Sequence, residues 1–203
     1  MSFNNHEFIN MFENELAEYT GAPYVVLTDS CTNAIFLCLK YLNIKTSIGI
    51  PNHTYISIPQ QIVHAGYEGD FIKDDWVGSY NLKNTPIWDS AVGFHKDMYV
   101  KDQFMCLSFQ QKKALPIGKG GAILLSKKED YEILKRMAWD GRDASVSVER
   151  DINNIILGYH MNMTPNDAVN GLLLLNQFTA VKDNQGCWLD YPNLDVTKVN
   201  GET

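Results

Sequence analysis

The chain has 203 residues, the length of one domain with room for a two- or three-layer core. Its formal net charge of −7 argues against a nucleic-acid-binding protein, which would need a basic surface. The four cysteines and five histidines are scattered without metal-ligand spacing, so neither a metal site nor a disulfide framework is predicted.

The N-terminal residues show neither the basic start nor the apolar stretch of a secretory signal. We therefore expect a cytoplasmic protein with reduced thiols. The strongly apolar runs are no longer than four or five residues, too short to span a bilayer, so no membrane partner is predicted.

The first half of the chain alternates helical and strand patterns. Residues 7–19 place apolar side chains at helical spacing, and Gly21 and Pro23 end that helix. A short apolar strand at 24–27 leads through cap residues into a helix at 32–42. The other elements predicted in this half are strands at 47–50, 69–72 and 85–88, a helix at 55–65, and a polar loop at 73–84.

The second half begins with two strands joined by a polar loop and continues mainly as helices. The strands are predicted at 104–109 and 122–126, and the helices at 129–139 and 165–178. Residues 140–153 read as a polar, charged loop. The tail from Lys182 onward has no clear period, so we expect loose structure there.

Strands that alternate with helices predict an α/β fold, here a three-layer α/β/α sandwich with a mostly parallel central sheet. In such sheets ligands bind beyond the carboxyl ends of the strands. Several predicted strands are followed by polar residues, at positions 30–33, 52–55, 89 and 108–113. The sequence therefore predicts a ligand site at that edge of the sheet.

Each of these polar groups has an ordinary structural explanation beside a functional one. Residues 28–33 are either a plain helix cap or an anion site, in which helix N–H groups and the Thr32 hydroxyl hold a phosphate. Asp89 is either a turn residue or the acid of a site. Tyr55 either packs on the sheet edge or contacts a ligand, and Ser108 either satisfies the core or faces the site.

Together, these groups match what pyridoxal phosphate requires. That cofactor needs a lysine for its aldehyde, an acid for its pyridine nitrogen, an aromatic ring, and hydroxyls with a helix N-terminus for its phosphate. Lys112 and Lys113 lie on the loop after a predicted buried strand, where a desolvated amine can form a Schiff base. The residue types alone leave the choice between the two lysines open.

The most specific pattern is Ser-Phe, three residues, Lys, four residues, then Gly-x-Gly-Gly, which here starts at Ser108 and ends at Gly121. Shorter patterns lie at residues 30–34, 51–55, 88–92 and 158–164. Their order and spacing resemble the DegT/DnrJ/StrS family of sugar-nucleotide aminotransferases over residues 8–178. The resemblance implies the large domain of the type I aminotransferase fold, in a reduced form.

The resemblance selects Lys113 over Lys112 and implies two catalytic residues. Lys113 would form the Schiff base with pyridoxal 5'-phosphate and then act as acid and base for the proton shift. Asp89 would pair with the protonated ring nitrogen, and Tyr55 would stack on the ring face.

The remaining cofactor-binding residues follow from the resemblance by position. Cys31 and Thr32 would hold the phosphate through backbone and hydroxyl groups, together with Ser108. Asn162 would reach the phosphate of a neighbouring subunit's cofactor, since sites of this family are shared across a homodimer.

The chain also departs from the family pattern. Val92 stands where the family has Gln or His, Cys31 replaces a glycine in the phosphate turn, and Lys119 stands where Glu or Arg is common. Between the third strand and Asp89, family members carry an extra strand–helix–strand portion, and this chain has only residues 73–84 there.

These departures shape the expected domain organisation and function. We expect residues 1–181 to form a reduced cofactor-binding large domain and residues 182–203 a polar tail, without the family's small domain. The resemblance implies transfer of an amino group from a donor such as glutamate to a keto-sugar nucleotide, as in polysaccharide biosynthesis. The alternative is a catalytically inactive remnant that binds the cofactor or a sugar nucleotide. A related dehydratase is disfavoured, because that branch has His in place of Lys113.

Overall fold

The computed structural model of the chain describes residues 5–178 and 186–194. The helices are α1 (Asn5–Thr20), α2 (Cys31–Tyr41), α3 (Ser57–His64), α4 (Lys128–Ala138), α5 (Val148–Asp151) and α6 (Pro165–Asn176). The strands are β1 (Tyr24–Thr28), β2 (Ile48–Pro51), β3 (Gly69–Ile72), β4 (Tyr80–Asn81), β5 (Ile87–Asp89), β6 (Phe104–Ser108) and β7 (Gly121–Leu125). Short 3₁₀ turns lie at Ile152–Asn154 and Trp188–Asp190.

Five strands form one sheet in the order β1-β7-β6-β5-β4, and β2 pairs with β3 in parallel. An antiparallel bridge between Gly49 and Lys83 joins β2 to the chain just after β4. β7 is antiparallel to both of its neighbours, and β4 is antiparallel to β5, whereas β5 and β6 are parallel. The sheet is therefore mixed: β4 and β7 run against the direction that the other strands share.

Helices cover both faces of this sheet, which confirms the predicted α/β/α fold class. Side chains alternate between two cores along each strand, as the two-residue period of a strand requires. In β1, Val26 faces the core beneath α2, α3 and α4, whereas Val25 and Leu27 face the core beneath α1 and α6. In β6, Cys106 and Leu107 divide in the same way. Both faces of the central strands are thus buried.

Two segments predicted as loops contain short regular elements. Within residues 73–84 lies β4, which is only two residues long and pairs with β5 as a hairpin. Within residues 140–153 lies α5, a single turn. Elements this short show no periodicity in the sequence, because a period needs more than one turn or pleat to be recognised.

The tail also differs from the expectation of loose structure, over residues 186–194. The Gly78 N–H donates to the Gly186 carbonyl at 2.8 Å, and the Leu194 N–H donates to the Asn52 carbonyl at 2.8 Å. The Tyr191 ring lies 5.4 Å from the ring of Trp76. These contacts fix the segment on the loops after β2 and β3. Residues 182–185 and 195–203 lie outside the described part of the chain.

The glycine pair at the start of β7 allows its backbone to lie directly against the first turn of α2. Ser30 and Gly120 form a bridge, and a Cβ added at Gly121 would lie 2.5 Å from the Cys31 nitrogen. At Gly120, φ is +141°, and a Cβ would lie 2.6 Å from the terminal methyl of Met163. Only glycine fits both positions, so the run forms the turn that returns the chain into the sheet.

A buried ion pair joins α1 to α4. The Lys135 ammonium lies 2.6 Å from the Glu13 carboxylate, whose side chain is 6% exposed. The other carboxylate oxygen accepts a hydrogen bond from the Leu27 N–H of β1 at 3.3 Å. Burial raises the pKa of Glu13, and the Lys135 charge opposes that rise.

No helix in the described part of the chain is both long and apolar enough to cross a membrane.

We predict that Lys135→Met lowers the free energy of unfolding by about 3–5 kcal/mol, because it leaves a buried charge without its partner. The folded-state pKa of Glu13 would rise further above its unfolded value. The loss of stability should therefore be small at acidic pH, where Glu13 is protonated in both proteins. It should grow as the pH rises from the folded-state pKa of Glu13 in wild type to its higher value in the variant. Urea denaturation at several pH values measures both effects.

The matched control is Lys128→Met on the same helix. Lys128 pairs with Glu132 at 3.4 Å, but both side chains are more than half exposed. Such a pair contributes about 0.5 kcal/mol or less. Equal losses in the two variants, or a loss in Lys135→Met that does not depend on pH, would contradict the assigned role of the buried pair.

We predict that Gly121→Ala destabilises the protein by about 1–3 kcal/mol, because its methyl group would overlap backbone atoms of Ser30 and Cys31. Thermal and urea unfolding measure the change. Gly69→Ala in β3 is the control, since the nearest atom to its new Cβ would be 3.4 Å away, on Ile62. If Gly121→Ala is as stable as the control, the backbone contact is not as close as described.

Candidate active site

The carboxyl ends of β1, β5 and β6 open into a cleft of about 1050 Å³. This is the edge of the sheet at which the sequence predicts a ligand site. Six of the seven predicted site residues line the cleft: Cys31, Thr32, Tyr55, Asp89, Ser108 and Lys113. They come from positions 31 to 113 of the chain, so the fold brings together groups that are remote in sequence.

Asp89 ends β5 and is 6% exposed. One of its carboxylate oxygens accepts a hydrogen bond from the Tyr80 hydroxyl at 2.8 Å, and the other accepts one from the Ala91 N–H at 3.0 Å. Burial raises the pKa of Asp89, and these two hydrogen bonds and the Lys113 charge oppose the rise. The negative charge of this buried carboxylate therefore depends on the two hydrogen bonds and on the nearby Lys113 charge.

Cys31 is the first residue of α2, and its thiol faces Asp89. The thiol donates to the Cys106 carbonyl at 3.4 Å and lies 3.9 Å from an Asp89 oxygen. Burial raises the pKa of this thiol well above its ordinary value, and the Asp89 charge adds to the rise. Cys31 is not among the residues with positive φ, so replacing the family's glycine here imposes no backbone strain.

Hydroxyl groups collect where the N-termini of α2 and α3 meet the cleft. The Thr32 hydroxyl lies 2.9 Å from the Ser57 hydroxyl, and Ser108 lines the same cleft from the end of β6. Ser30 caps α2, because its hydroxyl accepts the Asn33 N–H at 3.2 Å. Hydroxyl donors beside the N-terminus of a long helix favour a phosphate group. Ser57 is absent from the predicted set because it lies beyond the polar residues that follow the second predicted strand, within the predicted helix at 55–65.

Lys113 lies on the loop between β6 and β7. The loop is closed by a bridge between Gln110 and Gly118, and the Lys113 N–H donates to the Gln110 carbonyl at 2.8 Å. Lys113 is half-buried, whereas Lys112 is exposed. Within the described ranges no carboxylate lies within 4.0 Å of the Lys113 amine, so the amine is not held in an ion pair.

Tyr55 and Asn162 differ in their relation to the cleft. Tyr55 lines it with a side chain that is 58% exposed, so its ring is available to a ligand. Asn162 is not part of the cleft wall. Its side-chain NH₂ donates to the Met163 carbonyl at 3.3 Å, and its side-chain oxygen is buried without a partner among the described residues. The structure therefore does not bring Asn162 to the site of its own subunit.

The C-terminal segment supplies a wall that sequence reasoning missed. Asp190 and Tyr191 line the cleft. Burial raises the pKa of Tyr191 to about 12, and the Asp89 charge adds to the rise, so the two side chains are within electrostatic range. The aromatic content of residues 188–191 was the one feature of the sequence that could have indicated this wall.

Among the described residues no cluster of His, Cys, Asp and Glu has the arrangement of a metal site.

Solved structures with the same fold are aminotransferases and related enzymes. The chain superimposes on a Bacillus cereus protein described as a PLP-dependent aminotransferase, with a TM-score of 0.70 and 19% identity over 84% of this chain and 58% of that one. For 3-amino-5-hydroxybenzoic acid synthase the TM-score is 0.69, with 21% identity over 85% of this chain and 56% of that chain. For the sugar aminotransferase CalS13 from Micromonospora echinospora the TM-score is 0.68, with 15% identity over 84% of this chain and 60% of that chain.

This chain thus spans less than two thirds of the length of these three proteins. Comparison with curated protein sequences finds no match. The sequence model of the DegT/DnrJ/EryC1/StrS aminotransferase family matches residues 2–85 and 96–187, which is most of the chain. The chain belongs to the DegT/DnrJ/EryC1/StrS aminotransferase family.

Proposed function

We propose that the protein is a pyridoxal phosphate-dependent sugar aminotransferase, which moves an amino group from an amino-acid donor such as glutamate to a keto-sugar nucleotide. The observation that carries the proposal is the position of Asp89 and Lys113 in one cleft, with hydroxyl groups and a helix N-terminus beside them. Membership of the family implies pyridoxal phosphate as the cofactor. The cytoplasmic location remains a prediction from the sequence.

The chemistry of the donor set fits the phosphate end of this cofactor. Thr32, Ser57 and Ser108 offer hydroxyl donors at one side of the cleft, and α2 directs its N-terminus there. Cys31 contributes its backbone position, since its thiol is engaged with the Cys106 carbonyl. A phosphate bound by these groups would be fixed by hydrogen bonds and by the helix dipole, with no lysine required.

The other end of the cofactor fits the residues at the floor of the cleft. When bound, pyridoxal phosphate supplies an aldehyde that condenses with amines and a protonated ring that withdraws electrons from the attached carbon. The ionised Asp89 carboxylate would stabilise the positive charge on the ring nitrogen. Tyr55, with its exposed ring, would cover one face.

Lys113 is the proposed catalytic base and acid. Its amine is half-buried and is not held in an ion pair among the described residues, so it can give up and accept a proton at Nζ. Lys119, by contrast, pairs with Asp29 at 3.8 Å and is largely exposed. Residues 1–181 remain the proposed cofactor-binding unit, and residues 186–194 contribute a wall to it.

We further propose that the protein acts as a homodimer, with Asn162 reaching the partner's cofactor site. The support is an apolar surface on the loop between α4 and α6. Ile152, Ile155, Ile156 and Leu157 are each at least 39% exposed there. The loop has a defined shape, because the Ile156 N–H donates to the Gly141 carbonyl at 3.0 Å. Such a surface is typical of a subunit contact.

We predict that purified protein mixed with pyridoxal phosphate develops the absorbance band of a lysine-bound cofactor, and that Lys113→Ala abolishes it. The reason is that, among the described residues, no other lysine of the cleft combines partial burial with a position on the closed loop. Lys112→Ala is the control and should keep the band. Loss of the band in Lys112→Ala but not in Lys113→Ala would reverse the assignment.

The same sample separates an enzyme from a binding protein. Addition of glutamate should convert the band to that of the aminated cofactor if the protein is a transaminase. A stable band with glutamate and with other amino-acid donors would instead favour the inactive, cofactor-binding remnant. If no band forms with the unaltered protein, the proposed function is wrong.

We predict that Leu157→Ser shifts the protein from dimer to monomer, because Leu157 is 78% exposed on the proposed contact surface. Light scattering after size-exclusion chromatography measures the mass. Leu189→Ser is the control, since Leu189 is 70% exposed but lies on the C-terminal segment. A monomeric wild-type protein would rule out the shared site and the role of Asn162.

A further inference from the structure

The hairpin of β4 and β5 places a tyrosine directly opposite the buried acid of the cleft. In its antiparallel register, Tyr80 is the cross-strand neighbour of Asp89. The Tyr80 hydroxyl donates to Asp89 Oδ2 at 2.8 Å, and the Tyr80 side chain is only 4% exposed. This hydrogen bond is therefore shielded from water. A hydrogen bond to an ionised group is stronger in such an environment than in water.

A second hydroxyl supports the first. The Thr54 hydroxyl makes a short contact with the Tyr80 hydroxyl, and Thr54 is fully buried. Since the Tyr80 hydrogen is directed at the carboxylate, the Tyr80 oxygen accepts and Thr54 donates. The two hydroxyls thus form a directed chain that ends on Asp89. Each donor polarises the next and increases the stabilisation of a negative charge at the end of the chain.

The ring of Tyr80 is held by the neighbouring aromatic side chain. The Trp76 ring lies 4.8 Å from the Tyr80 ring, and its indole N–H donates to the His53 carbonyl at 2.9 Å. The Tyr191 ring lies 5.4 Å from the Trp76 ring. The tyrosine is therefore fixed in orientation by packing and not only by its hydroxyl contacts.

Several elements face Asp89, and Tyr80 differs from the other side chains among them. The Cys31 thiol of α2 is 3.9 Å away, which is a weak contact, and Lys113 acts only as a nearby charge without an ion pair. Tyr191 of the C-terminal segment acts through its proximity. The Ala91 N–H belongs to the backbone. Tyr80 is thus the one side chain in the described part of the chain that makes a short hydrogen bond to this carboxylate.

We propose that Tyr80 is a positioning residue of the active site: its hydroxyl orients the Asp89 carboxylate and keeps it ionised for the positively charged ring of the cofactor. The inference rests on the proposed function. It assigns a role to the short β4 hairpin, in the segment where the chain is shorter than the family pattern. Burial raises the pKa of Asp89, and the Tyr80 hydrogen bond opposes that rise. Removal of the Tyr80 donor would therefore raise the pKa of Asp89 further.

The first test uses the protein without cofactor. The carboxyl ¹³C signal of Asp89, identified by its absence in Asp89→Asn, is followed through a pH titration. In Tyr80→Phe the midpoint should move to higher pH, and in Thr54→Val it should move in the same direction by less. The control is Tyr41→Phe. Tyr41 lies at the C-terminal end of α2, and its hydroxyl donates a comparable 2.7 Å hydrogen bond to Asp130 of α4. This variant should leave the Asp89 midpoint in place.

The second test measures pyridoxal phosphate binding by quenching of tryptophan fluorescence. Tyr80→Phe should bind about tenfold more weakly than wild type, as expected for loss of one hydrogen bond to a charged group. Wild-type affinity should fall as the pH drops through the folded-state pKa of Asp89, and the variant should lose affinity at a higher pH. Tyr41→Phe should match wild type at every pH.

The outcomes separate this inference from the proposed function. An unchanged Asp89 midpoint in both Tyr80→Phe and Thr54→Val overturns the positioning role, whatever the cofactor does. Identical pH profiles of cofactor binding in wild type and Tyr80→Phe also overturn it. If wild type fails to bind the cofactor, the proposed function fails, while the titration still decides whether Tyr80 controls Asp89. If Tyr80→Phe does not fold, Thr54→Val decides the question.

Discussion

The burial of one carboxylate, Asp89, is the constraint on which the cleft depends. A charge removed from water must be stabilised by directed donors or it is lost to protonation. Here the donors come from different parts of the fold: a tyrosine on the β4 hairpin, a backbone N–H just after β5, and a lysine charge on the β6–β7 loop. The residues just after β5 and the β6–β7 loop also form walls of the cleft. These donors surround Asp89 only when the hairpin, β5 and the β6–β7 loop are packed together.

Much of the fold could be predicted because its signals are local. Helices such as α1 and α2 show apolar residues at helical spacing, and the strands show short apolar runs next to turn residues. The direction of β7 follows from non-local contacts, namely its pairing with both β1 and β6. The prediction of a mostly parallel sheet rested on the alternation of strands and helices along the chain, and that alternation does not show which strands pair. The two-residue β4 and the packing of the tail on Trp76 carry no local period at all.

The same distinction applies to the site. Asp89 and Ser108 were identifiable because each ends a strand, where the topology of an α/β sheet places ligands. Ser57, Tyr80 and Tyr191 were missed, since they belong to a helix start, a hairpin and a tail that reach the cleft only after the chain has folded. Their contribution depends on distances across the sheet edge, such as the 2.9 Å between the Ser57 and Thr32 hydroxyls. Sequence spacing does not encode these distances.

The β4–β5 hairpin has a consequence for how the chain can vary. Neighbouring residues of a strand point to opposite faces, so a shift of one residue in the pairing would exchange Tyr80 with Asn81 opposite the acid. The residues between the two strands therefore act as a measured spacer. Insertions or deletions there should be tolerated only in forms that restore the register, even where they keep the buried Leu82 and the hydrogen bond from the Thr85 hydroxyl to its carbonyl. A segment that does not line the cleft would then be constrained in length by the residue that it places opposite Asp89.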